Sequence, residues 1–164
     1  MVMRVFTKKY LYSFISLLWI GVIFSFSLQN AEVSSATSKK VGQVIIESSL
    51  PVVSKKFDAM STSELRQFYR ILREYAHFIE FFILGVLIYL TLREYAMVHK
   101  VGKGIAMCLM VAVLDETLQV FVEGRARELS DMMLDAYGSI LGVAIIYVIT
   151  NINIRIGSEK RRRE

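Results

Sequence analysis

At 164 residues the chain has the length of a single domain, and 54% of it is apolar, with a mean hydropathy of +0.46. The apolar residues arrive in long blocks, which excludes a soluble core of short periodic elements and points to an integral membrane protein. The net charge of +5 is gathered at the two ends beside apolar runs, a pattern of membrane topology and not of nucleic-acid binding.

The first apolar run, 11–28, holds Trp19 and no charge, and Arg4, Lys8 and Lys9 precede it. No small-x-small cleavage site follows, so it reads as an uncleaved transmembrane helix and not a signal peptide. Residues 29–74 are polar and form a partly helical extracytoplasmic loop. Within it, Asn30 to Lys40 is rich in Ser and charge, and Val41 to Val53 is modestly amphipathic around Pro51. Ser61-Thr62-Ser63-Glu64 has the form of a capping box. The helix it starts places Leu65, Phe68, Tyr69 and Leu72 at spacings of three and four, which predicts a surface helix that then turns into the next span.

Three further spans follow at 75–92, 104–122 and 132–150, joined by short connections at 93–103 and 123–131. The expected fold is therefore an all-α integral membrane protein of four transmembrane helices, closed by a basic tail at 151–164. The single Cys108 lies inside an apolar run and permits no internal disulfide. With both termini cytoplasmic, the inner segments carry 11 basic residues in 35 positions, against 9 in 55 for the outer ones. The positive-inside rule thus places both ends inside a bacterial cytoplasmic membrane.

That topology brings the intramembrane ionisable residues to one level. His77 and Glu80 fall in the first outer turns of the second span. Asp115, Glu116 and Gln119 fall in the outer half of the third, and Asp131 and Asp135 at the start of the fourth. Arg125 and Arg127 occupy the loop between the last two spans. A charge near the middle of a bilayer costs at least ~2.5 kcal/mol, so such residues need a partner, a proton or water. Arg73, His77 and Glu80 share one helical stripe. Asp131, Asp135, Ser139 and Gly142 share another, and Gly138 with Gly142 permits close helix approach.

With His77-Phe78-Ile79-Glu80-Phe81, Asp115-Glu116-Thr117-Leu118-Gln119, Gly124-Arg125 and the Asp131…Asp135…Gly138…Gly142 series in order, the chain resembles the VanZ-like family of bacterial membrane proteins. The likeness runs over about residues 14–150 and includes Phe26-Ser27-Leu28-Gln29. Asp135 stands where the family often has Asn, and Glu123 where it usually has Pro. The family's namesake is implicated in low-level resistance to the glycopeptide teicoplanin, so the resemblance implies a cell-envelope setting without specifying a reaction.

Three functions fit these residues. One is an envelope protein whose outward polar pocket binds a cell-wall precursor, a lipid head group or a glycopeptide, with Gln119, Arg125, Asp131 and Asp135 as binding candidates. A second is an enzyme on a lipid-linked substrate, with Glu80, Asp115 or Glu116 as acid or base, His77 as proton shuttle and Arg125 as phosphate clamp. A third is a proton-coupled transporter. It is disfavoured because the inner halves of the spans are apolar and four helices would have to oligomerise. One His among several carboxylates suits a divalent ion, yet no H-E-x-x-H or nucleotide loop is present. The expectation is therefore no metal and no cofactor, with membrane lipids as constant partners and no nucleic acid.

Overall fold

The computed structural model describes residues 2–48, 55, 57, 59–124 and 129–163, with backbone alone at 2–7, 157, 160 and 163. The described residues form helices and no strand. The helices are α1 (Val2–Ser27), α2 (Ala31–Glu47), α3 (Thr62–Glu94), α4 (Lys100–Val120) and α5 (Leu129–Arg163). Three of them are long and apolar enough to cross a membrane: α1 over Lys8–Ser27, all of α3, and α5 over Leu129–Ile156.

Local chemistry starts the helices. Asn30 caps α2 by accepting from the Val33 amide at 2.9 Å. At α3 the Ser61 amide donates to Glu64 Oε2 at 2.7 Å while the Glu64 amide donates to Ser61 Oγ at 3.4 Å, a complete capping box. The turn expected between a surface helix and the second span is absent. α3 runs unbroken for 33 residues, about 50 Å, because no Pro and only Gly85 interrupts it. The basic tail likewise continues α5 as helix as far as Arg163. Between α3 and α4 the chain reverses through Ala96 and His99, both with φ near +50°. Pro51 lies outside the described residues.

α3 and α5 pack most extensively. A Cβ at Gly85 would lie 2.5 Å from the Ser139 carbonyl oxygen, and at Gly138 and Gly142 it would strike the backbone of Phe78 and Phe82. The close approach that the two glycines of α5 permit is thus made against α3. Beside this seam Ile23, Phe81, Leu84, Ile88, Leu92, Cys108, Val111 and Ala112 form a buried core, with Trp19, Ile20 and Phe24 of α1 laid over it. Two polar contacts tie α1 to α3: Trp19 Nε1 donates to the Glu80 carbonyl at 2.9 Å, and Ser16 Oγ meets Thr91 Oγ1 at 3.0 Å. The outer faces of the bundle are apolar, as Leu17, Met110 and Val148 illustrate.

Candidate functional site

One end of the bundle collects a buried polar layer. Asp131, Asp135 and Ser139 lie four apart on α5 and are all buried. On α4, Asp115, Glu116 and Gln119 are buried together, the two acids with no exposed surface. Adjacent residues on a helix diverge by ~100°. Both acids can nevertheless be covered because α4 is flanked by α1, α3 and α5. On α3 His77 is buried and Glu80 half-buried.

The contacts join four helices. Ser27, the last residue of α1, donates from Oγ to Asp115 Oδ1 at 2.5 Å. Gln119 Nε2 donates to Asp115 Oδ2 at 3.1 Å and approaches Ser27 Oγ at 3.5 Å. Both oxygens of Asp115 are therefore held by neutral donors. His77 Nδ1 stands 3.4 Å from Asp135 Oδ1, yet neither atom makes a hydrogen bond, and neither does Asp135 Oδ2 or Asp131 Oδ1 among the described residues. His77, Asp115 and Asp135 each offer a ligand atom, and these atoms lie within 4.8 Å of one another.

Four carboxyl groups and one imidazole are buried, and no Lys or Arg among the described residues is. Asp131 lies in the first turn of α5, where the helix dipole favours an acid. Asp115 and Glu116 lie toward the C-terminal end of α4, where it does not.

Beside the layer opens a cavity of about 390 Å³ between the end of α1, α2 and the middle of α3. Its lining is mixed: Phe26, Val41, Ile45, Leu72 and Ile79 are apolar, Ser34, Thr37 and Ser38 of α2 add hydroxyls, and Ser27, Arg73, His77 and Glu80 add further polar groups. The stripe Arg73, His77 and Glu80 thus borders one space, and His77 and Ser27 belong to both cavity and buried layer. The structure groups His77, Asp115, Gln119 and Asp135, buries Glu116 and Asp131 at the same level, and sets Glu80 on the cavity wall. Arg125 lies outside the described residues.

Two participants went unread in the sequence. Ser27 appears there only as the exit from an apolar run, and its position in Phe26-Ser27-Leu28-Gln29 was the one available signal. α2 falls within the loop expected to be partly helical, but its place as a wall of the cavity is not readable from the sequence.

A model of the VanZ/LLP1 family matches residues 12–150, which is most of the chain. No curated protein and no solved structure matches it.

Proposed function

The chain belongs to the VanZ/LLP1 family, and from that membership and the cavity beside His77 we propose that it binds an amphipathic component of the bacterial cell envelope. In this proposal the protein crosses the cytoplasmic membrane four times with both termini inside, and the cavity faces outward. α4 would be the fourth span. Its 21 residues reach about 31 Å, the thickness of a hydrocarbon core, and its two acids are turned wholly into the bundle. Holding a cell-wall precursor, lipid or glycopeptide there would lower susceptibility to teicoplanin.

The observation that carries this proposal is the cavity's mixed lining. Apolar groups from α1, α2 and α3 share one space with Arg73, His77 and Glu80, which suits a chain with a polar or anionic head. The test has two arms in a glycopeptide-sensitive Gram-positive host. Teicoplanin susceptibility is compared for vector, wild type, Arg73→Ala and Glu116→Gln at equal membrane abundance, and lipids released from the purified proteins are identified by mass spectrometry. Protection by wild type, its loss in Arg73→Ala, and a stoichiometric amphiphile in wild type are the expected results. Unchanged susceptibility together with an empty lipid profile would overturn the proposal.

A second function is favoured by the imidazole set among buried carboxyls: acid–base chemistry on a lipid-linked or phosphate-bearing envelope substrate. A chemical change in lipid-linked precursors that depends on Asp115 and Glu116 would distinguish it from binding alone.

A further inference from the structure

We propose that His77, Asp115 and Asp135 form a binding site for one divalent cation of the zinc or manganese kind. The three residues come from α3, α4 and α5, so the site exists only when the bundle is assembled. Each offers a ligand atom, and the three atoms lie within 4.8 Å of one another, all of them buried.

One further observation favours a cation, the relation of His77 Nδ1 to Asp135 Oδ1. At 3.4 Å they form an ion pair when the imidazole is protonated, and neither atom makes a hydrogen bond among the described residues. Two ligand atoms each ~2.1 Å from a tetrahedral zinc ion are themselves about 3.4 Å apart. Asp135 is wholly buried, and neither of its oxygens accepts a hydrogen bond among the described residues.

Asp115 shows how a ligand would be held in place. Ser27 Oγ and Gln119 Nε2 donate to its two oxygens and fix the carboxylate plane. One imidazole nitrogen with two carboxylates fits the donor preference of zinc or manganese. Calcium and magnesium favour all-oxygen sets, and Cys108 is not part of the group.

The inference stands apart from envelope binding, because metal content is measured without any lipid or antibiotic. The full-length protein, purified in mild detergent and stripped with EDTA, is equilibrated with Zn²⁺ or Mn²⁺, desalted and analysed by elemental mass spectrometry. Wild type should retain close to one ion per chain, and Asp135→Asn and His77→Ala less than one-tenth of that. Should either variant fail to elute as a single species, Co²⁺ titration of wild type replaces it. A saturable visible absorption band at one equivalent, displaced by Zn²⁺, supports the site. Wild type that retains less than one-tenth of an ion and gives no cobalt band overturns it. So does a folded Asp135→Asn that binds as wild type does.

Discussion

The two ends of the bundle are made from the same helices and have opposite characters. α3 passes from His77 to Phe81 in about one turn, α4 from Asp115 back to Val111, and α5 from Ser139 to Val143. On one side of this boundary the buried groups are acids, an imidazole, the Gln119 amide and the Ser27 hydroxyl. On the other, Phe81, Leu84, Ile88 and Cys108 are closed against one another and against Trp19. Shape holds the apolar half together: glycines bring α3 and α5 to backbone contact, and side chains fill what remains. The polar half gains little stability from its contents, since removing charges from water usually costs more than their pairing returns. Stability therefore accounts for the apolar half and not for the polar one.

The sharpest way to break that contrast is to separate α3 from α5. Gly142→Leu would drive a side chain into the Phe82 backbone, which cannot move without unseating the helix. Overpacking costs about 1–3 kcal/mol where neighbours yield, and here they do not. The expected outcome is loss of monodisperse protein after detergent extraction, read by size-exclusion chromatography. Phe81→Ala is the next largest. Truncating a fully buried ring leaves a cavity worth about 3–5 kcal/mol, read as a lower unfolding midpoint in denaturant. If Phe81→Ala were neutral, the apolar half would not be the stabilising half.

How much of this was legible depends on range. Ser61 and Glu64 lie three residues apart, so their mutual capping could be read directly. The Asp131, Asp135 and Ser139 stripe follows from the same short-range geometry. The pair Gly138 and Gly142 announces a close approach but not its partner, the α3 backbone at Phe78 and Phe82 more than fifty residues earlier. α4 shows the limit of hydropathy. Asp115 and Glu116, together with Lys100 and Lys103, make it look less like a span than its neighbours, although both acids are hidden inside the bundle. Membrane affinity depends on the face a helix shows to lipid, and composition averages over every face. The unbroken length of α3 was misread for a related reason: a change from polar to apolar residues marks a change of surroundings, and without Pro or Gly it does not bend a helix.

Two serines on α1 sharpen the comparison to single atoms. Ser16 and Ser27 are eleven residues apart, about three turns, so they point from one face of one helix into the two halves. Ser27 donates to a buried carboxylate at 2.5 Å. Hydrogen bonds to charged groups contribute about 1.5–3 kcal/mol, so Ser27→Ala should lower stability by that amount and free Asp115 to rotate. Ser16 meets the Thr91 hydroxyl at 3.0 Å, and each also bonds a carbonyl of its own helix, Tyr12 for Ser16 and Leu87 for Thr91. Neither is left orphaned when the other is removed, and hydrogen bonds between membrane helices average about 0.6 kcal/mol. Ser16→Ala should therefore shift the unfolding midpoint by no more than that, several-fold less than Ser27→Ala in the same titration. Equal losses for the two serines would mean that the partner's charge does not matter, and that the buried layer behaves as ordinary packing.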